Sequence, residues 1–415
     1  MHRGCPGLTG KGKHFAAGLD IGTSNIVVAV LTEGESARPA GTGWCASLGM
    51  RKGIVVDGEG VARSIRRAVE MAEEAAGVKI TTVWAGFSGY SINVLTRWAD
   101  ISIEHGCVIT GDHVTRLMGR LHRVDVTQGR RVLQVIPGGF FVDGIPADDQ
   151  GVGRAASTLG VEARILTVDS QLVDQLLESV QLAGLRVAGI RVNPLVVAPE
   201  ILRTVERELG TALVDLGGGT TAIAVFNRGA LVDMAVIPVG GEHITSDVAI
   251  GVRTTLEAAE EVKRELGLLP GEKDDYVELP DTAGRHSRPV PVTRVQQIIT
   301  SRVQEILDLV KQTINRLKPG LSLPAGAVLT GGGARLKGLP DLAARMWNLP
   351  VRPVALEEGD PGRPDCLAAW GLARSVAGKP AGQENRGLAV AAGGSPSGAK
   401  SVLDFLSHLR RKYPH

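Results

Sequence analysis

Apolar and polar positions along this chain follow two periods. In FAAGLDIGTSNIVVAVLTEG (15–34), two apolar runs flank a turn at Asp-Ile-Gly-Thr and end at Glu-Gly, which predicts a strand–turn–strand hairpin. TALVDLGGGTTAIAVFNRGA (211–230) repeats that plan, with Asp215 answering Asp20 and Thr220 or Thr221 answering Thr23. The two aspartates stand 195 residues apart, a spacing that predicts two similar α/β halves and not a short-period solenoid. A helical period takes over in DGEGVARSIRRAVEMAEEAAG (57–77), where apolar side chains recur at 61, 65, 68, 69 and 72. VDSQLVDQLLESVQLAGL (168–185) opens on an Asp/Ser cap and stops at Gly184, so it also predicts a helix.

Further helical patterns cover 242–267 and 292–317, separated by a polar, proline-containing stretch at 270–291. In AVLTGGGARLKGLPDLAARMW (327–347) an apolar strand runs into a third glycine cluster and then a helix. Residues 87–166 hold short strands and one helix, TGDHVTRLMGRLHRV, and look like an insertion into the first half. KPAGQENRGLAVAAGGSPSGAK, after Gly378, has linker composition, and SVLDFLSHLRRKYPH (401–415) recovers a helical period.

Composition narrows the classes. The chain has 415 residues, 43% hydrophobic and 22% charged, as expected of two or three globular domains. A net charge of +2 gives no basic field, so no nucleic-acid partner is expected. Cys5, Cys45, Cys107 and Cys366 are scattered without a C-x-x-C pair, which argues against a disulfide framework or zinc site and fits a reducing cytosol. MHRGCPGLTGKGKH lacks the apolar core of a signal peptide, and no run of about eighteen apolar residues would span a bilayer.

The three glycine clusters carry the candidate chemistry. Bare backbone lets N–H groups approach a ligand closely, and successive N–H donors form a concavity for phosphate. One D-x-G-x-T or G-G-G between strands is commonly just a tight hairpin. Three such loops in order, each at a strand end, point instead to a polyphosphate held between two halves, with sugar and base against the third. Asp20 and Asp215 would repel phosphate, so their expected role is to hold a hydrated Mg²⁺. GLTGKGKH (7–14) satisfies G-x₄-G-K, but His14 replaces the Ser/Thr ligand and the segment precedes a strand, which excludes a P-loop. GVGRAA (151–156) follows a polar loop and reads as a turn.

These residues resemble the actin/Hsp70/sugar-kinase superfamily, and within it the bacterial cell-division FtsA family. GLDIGTSNIVVAV resembles the first phosphate loop, LVDLGGGTTAIAVF the second, and VLTGGGARLKGL the adenosine loop. VIPVGGEHITSDVAIGVRTTLEAAEEVKRELG (236–267) is similar to the connecting helices, and GRRVLQVIPGGFFVDG (129–144) to the strand closing the inserted subdomain. The likeness covers about residues 15–376, and the tail in type. It implies an α/β, actin-like ATPase fold: two duplicated ribonuclease-H-like lobes with an SHS2-like insertion in the first. The implied divisions are a flexible 1–14, a first lobe at 15–86 and 167–198 (with 362–377 a candidate addition) and an inserted subdomain at 87–166. A second-lobe core follows at 199–242 and 321–361, then an outer subdomain at 243–320, a linker at 378–400 and an amphipathic helix at 401–415.

The resemblance also assigns residues. Asp20, Gly22, Thr23, Ser24 and Asn25 match the first loop; Asp215, Gly217, Gly218, Gly219, Thr220 and Thr221 the second; Gly331, Gly332 and Gly333 the adenosine loop. Gly240 and Gly241 match a phosphate-contacting loop, and Glu260 and Lys263 a pair that contacts ribose and base in relatives. The i, i+3 spacing of that pair also suits a plain helical ion pair. ATP and Mg²⁺ are the implied cofactors, with weak ATPase activity at most. The implied partners are further copies in a filament, other division proteins through 87–166, and the C-terminal peptide of the tubulin-like division GTPase FtsZ. Arg302 and Glu305 align with partner-contacting positions for that peptide, although Thr300 and Ser301 replace the Glu-Pro common in relatives. A surface helix is the alternative for this segment.

In the tail, Val402, Leu403, Phe405, Leu406 and Leu409 form an apolar stripe beside Arg410, Arg411 and Lys412, the pattern of an in-plane helix on anionic inner-membrane lipid. Docking into the chain's own domain or a partner groove is the other reading. The expected location is the cytoplasmic face of the membrane at the division site. A pilus-assembly adaptor of the PilM type and a small-molecule kinase are alternatives of the same fold.

Overall fold

The computed structural model describes residues 8–10, 13–32, 38–147, 149–269, 275–355 and 364–377. The proposed linker and tail helix, including Val402 to Lys412, lie outside the described residues.

Two sheets share one topology. In the first, the strands lie in the order Pro39–Ala46, Asn25–Thr32, Lys13–Ile21, Thr82–Phe87, Arg186–Val192; the first three are antiparallel neighbours and the last two join in parallel. In the second, the order is Ala230–Ile237, Thr221–Asn227, Thr211–Leu216, Ala327–Thr330, Val351–Pro353, with the same directions. Both therefore read 3-2-1-4-5, and the duplication expected from the repeated hairpins is present. Asp20 and Asp215 are each the penultimate residue of the central strand.

The equivalence between the loops differs from the expected one. Gly22 N–H donates to Asn25 O (3.0 Å), and Gly217 N–H donates to Thr220 O (2.9 Å). Asn25 is thus the counterpart of Thr220, and Thr23 the counterpart of Gly218; Thr23 answers neither Thr220 nor Thr221.

Helices cover these sheets as the apolar periods require. Gly58–Ala76 is capped by Asp57, whose side chain accepts from Gly60 N–H, and ends at Gly77 in the left-handed region. In Val292–Leu317, Val295, Ile299, Val303, Ile306, Val310 and Ile314 are buried at three- and four-residue spacing against the second sheet. Each contributes roughly 1.5–3 kcal/mol by leaving water, so a charge at Ile299 would unseat the helix. The pattern over 242–267 is broken in two, Gly241–Val252 and Leu256–Leu266, because Arg253 turns left-handed (φ 50°) and Thr255 caps the second helix. Within 270–291 the structure places a hairpin, Tyr276–Pro280 with Ser287–Pro291.

The segment between the fourth and fifth strands of the first sheet forms a separate sheet, ordered Ile145–Ala147, Arg130–Val142, Thr158–Asp169, Asn93–Ser102, over the Gly111–Leu121 helix. Arg130 donates to Ser91 O (2.6 Å) and Thr167 O (2.8 Å), tying together the points where the chain enters and leaves this sheet. On its far side, Arg164 donates to the carbonyl of Val232 (2.7 Å) on the edge strand of the second sheet.

Candidate functional site

Because the two central strands end facing each other, their loops meet between the lobes and enclose a cleft of about 790 Å³, within the size range of small-molecule sites. Of the residues singled out above, Asp20, Gly22, Thr23, Ser24, Asn25, Asp215, Gly217, Gly218, Thr220, Gly241, Glu260, Lys263, Gly331, Gly332 and Gly333 line it. Gly219, Thr221 and Gly240 do not. Thr221 is fully buried and donates to Val239 O (2.7 Å), so its hydroxyl is an internal brace. Gly240 N–H donates to His243 Nδ1 (3.1 Å), and Gly241 and Glu242 N–H groups cap back onto the Gly217 and Gly218 carbonyls (both 2.9 Å). This glycine pair spends its N–H donors within the protein, while Gly241 itself lines the cleft.

Other donors remain. After the turn-closing Gly22 and Gly217, the N–H groups of Thr23 and Ser24 in one loop and of Gly218 and Gly219 in the other have no partner among the described residues. Unpaired, clustered N–H groups are the elements of an anion site. The loops touch: a Cβ on Gly218 would land on Ser24 Oγ, so this approach requires glycine. Ser24 Oγ also reaches Glu242 Oε1 at 2.7 Å. Gly331 takes φ 87°, and any side chain there would collide with Asp215.

Electrostatics set the two acids apart. Burial pushes the Asp20 carboxyl up to about 6; an Asn193 hydrogen bond (2.7 Å) opposes the rise and Asp365 adds to it. Asp215 is pushed up to about 7 by burial and by the charge of Asp20. Two half-buried carboxylates raised in this way favour a proton or a cation beside them. Their oxygen donors suit a hard divalent cation, although the described residues contain no cluster of three His, Cys, Asp or Glu positioned to ligate a metal directly.

In the cleft wall beside Gly241, Lys263 is buried and donates to Glu260 (2.5 Å), Thr245 Oγ1 (2.9 Å) and Gly241 O (3.2 Å). Burial lowers the Lys263 ammonium, and Glu260 opposes that shift. Burial alone would raise Glu260, but Lys263, Thr245 and Arg264 hold its carboxyl below the usual range. The pair is therefore more enclosed than a solvated helical ion pair. Arg302 and Glu305 lie away from the cleft; Arg302 bridges Asp247 (2.5 Å) on the neighbouring helix and Glu305 (2.8 Å).

Sequence reasoning missed Asn193, Glu242 and Asp365, all in the cleft wall. Asn193-Pro194 at a strand-to-helix junction was a usable signal for the first, and the position after Gly240-Gly241 for the second.

Known proteins are similar to this chain. The chain is 34% identical over 341 residues to the cell division protein FtsA of Bacillus subtilis, a match covering 80% of this chain and 77% of that one. The chain belongs to the FtsA family. The family model described as cell division protein FtsA matches residues 212–371, and that described as the SHS2 domain inserted in FtsA matches 89–167. Among solved structures, the PilM–PilN type IV pilus biogenesis complex aligns with TM-score 0.64 at 18% identity, covering 88% of this chain and 99% of that one. MreB5 of Spiroplasma citri bound to ADP aligns with TM-score 0.52 at 14% identity, covering 86% and 94%. At these identities the likeness establishes the actin-like fold alone, whereas membership of FtsA makes this a cell-division protein. The pilus-adaptor and kinase alternatives give way to it.

Proposed function

We propose that this FtsA-family chain binds ATP with a hydrated Mg²⁺ between its lobes, polymerises on the cytoplasmic face of the membrane at the division site, and tethers FtsZ there. One observation carries the nucleotide part: the unpartnered N–H groups of Thr23, Ser24 and Gly218 belong to residues that line one cleft with two half-buried aspartates. In this reading Thr23, Ser24 and Gly218 bind phosphate, Asp20 and Asp215 hold the cation through water, and Gly331–Gly333 with Glu260 and Lys263 border ribose and base. Support for the nucleotide also comes from the fold neighbour MreB5, which is bound to ADP. ATP serves mainly as a clamp that favours one conformation of the lobes, with hydrolysis slow at most.

The tether rests on the sequence. Half-burying five apolar side chains of 401–415 contributes roughly 4–7 kcal/mol, and its basic residues about 1 kcal/mol each at an anionic leaflet. Ordering the peptide costs on the order of 1 kcal/mol per residue, so one helix holds weakly and a filament of them firmly. FtsZ's C-terminal peptide is assigned to 243–320, near Arg302 and Glu305. Among the described residues no helix is long and apolar enough to cross a membrane, which is compatible with a surface-bound protein.

Calorimetry with ATP and Mg²⁺ tests the first part; absence of heat from folded protein refutes it. Co-sedimentation with anionic vesicles tests the second: deleting 401–415 should abolish pelleting while ATP binding persists, and undiminished pelleting would refute the anchor.

A further inference from the structure

The short strands Met50–Arg51 and Ile54–Val55 pair into a hairpin whose turn is Lys52-Gly53. Both turn residues take positive φ (51° and 75°), as the two central positions of a type I′ turn require. Gly53 suits that geometry, but at Lys52 asparagine or aspartate would adopt it more easily. Turn stability therefore does not account for the lysine. The turn is wedged between the lobes: Gly53 N–H donates to the Thr23 hydroxyl at 3.0 Å, and a Cβ on Gly53 would land 2.7 Å from Thr220 Cγ2. Met50 and Gly53 line the cleft together with Thr23, Ser24, Gly218 and Thr220. Lys52 stands exposed beside them, and its ammonium makes no hydrogen bond or ion pair among the described residues. Its charge nevertheless acts on the second lobe. Burial lowers the His243 imidazole, and Lys52 and Arg302 add to the fall, while Gly240 N–H and Glu242 oppose it. His243 follows Glu242, the residue that meets Ser24 over Gly218.

We infer that Lys52 is a ligand-binding residue that tells a nucleoside triphosphate from a diphosphate: its ammonium pairs with the terminal phosphate. This rests on the ATP reading above and names the group that reads the last phosphate. A triphosphate brings further negative charge to a cleft that already holds Asp20 and Asp215, so a cation beside it is favoured. The Lys263 ammonium in the cleft wall is committed to Glu260, Thr245 and Gly241 O. Lys52 instead offers an unengaged point charge with three donors on a flexible stem, carried by a turn that touches both glycine-containing loops. A diphosphate lacks the group that this ammonium would meet.

The test titrates the full chain with fluorescent ATP and ADP analogues in Mg²⁺, reading the ratio of the two affinities. Lys52→Ala should weaken the triphosphate on the order of tenfold, the worth of one charge-assisted hydrogen bond, and leave the diphosphate within about twofold. Lys52→Arg, which keeps the charge, should retain most of the ratio. Lys52→Asn suits the turn better, so the melting temperature of the nucleotide-free protein should hold or rise while the ratio falls as in Lys52→Ala. A residue serving only the turn would not separate the two readouts in that way. If Lys52→Ala and Lys52→Asn bind both analogues as the wild type does, or lose both in parallel, the inference is overturned. Should Lys52→Ala fail to fold, the Lys52→Asn ratio decides by itself. A wild-type chain that binds neither analogue overturns the ATP reading itself, a result distinct from a wild-type ratio that survives every substitution.

Discussion

Ser24 and Glu242 face each other across the lobes, joined by a hydrogen bond of 2.7 Å from hydroxyl to carboxylate. Their contact lies directly over Gly218, and it is where the first loop meets the first turn of the Gly241–Val252 helix. The approach of the lobes is therefore held where the two glycine-containing loops meet and not only by distant packing.

Removing that contact should loosen the nucleotide-free protein. Glu242→Ala is expected to cost about 1.5–3 kcal/mol, the usual worth of a hydrogen bond to a charged group. A double-mutant cycle with Ser24→Ala, followed by urea unfolding, should return most of this as coupling between the two positions.

The acid pair makes stability depend on pH in an unusual direction. The native Asp215 carboxyl keeps its proton to about 7 and Asp20 to about 6, whereas the unfolded chain releases both near ~4. Between those values the native state binds more protons, so the pair's contribution is full at low pH and is lost as pH rises through 6–7. Asp215→Asn should therefore gain on the wild type between pH 5 and pH 8, by on the order of 2–4 kcal/mol. Urea melts at both pH values without divalent cations check this, and added Mg²⁺ should shrink the difference.

Two glycines of the cleft should respond differently to one methyl group. In Gly218→Ala the Cβ strikes Ser24, so the loops separate, and both melting temperature and nucleotide affinity should fall. In Gly332→Ala the Cβ meets no protein atom within 4 Å. The melting temperature should hold, and a loss in nucleotide affinity alone would place ligand against that bare backbone. Differential scanning fluorimetry beside a nucleotide titration separates the two.

The threonines offer a similar contrast. Thr221→Ala removes a fully buried hydroxyl and orphans the Val239 carbonyl. It should cost about 1–2 kcal/mol of stability and leave nucleotide affinity unchanged. Thr23→Ala should weaken nucleotide binding and also loosen Gly53, whose N–H donates to the Thr23 hydroxyl at 3.0 Å. Unfolding curves and nucleotide titrations on both variants would show the split.

How much of this was readable from residue order follows from the range of each interaction. Local signals carried the hairpins around Asp20 and Asp215 and the helix from Asp57 to Gly77, because apolar period, turn glycines and caps are all short-range. Of the two threonines assigned to the second loop, Thr220 lines the cleft, whereas Thr221, the first residue of the following strand, turns its buried hydroxyl to the Val239 carbonyl, a contact that residue order does not reveal. The break at Arg253 was hidden because apolar spacing continues across both helices, and nothing marks an arginine for a left-handed conformation. The Tyr276–Pro280 hairpin was hidden by prolines and by its few buried side chains. Asn193 and Glu242 act on partners 173 and 218 residues away, and only the folded sheets bring those partners within reach.

The chain enters and leaves the inserted sheet through the first lobe, where Arg130 locks both crossings, yet Arg164 fastens that same sheet to the edge of the second. It thus bridges the two lobes like a strut. A rotation that widened the cleft would therefore have to break the Arg164 link or carry the inserted sheet along with the second lobe.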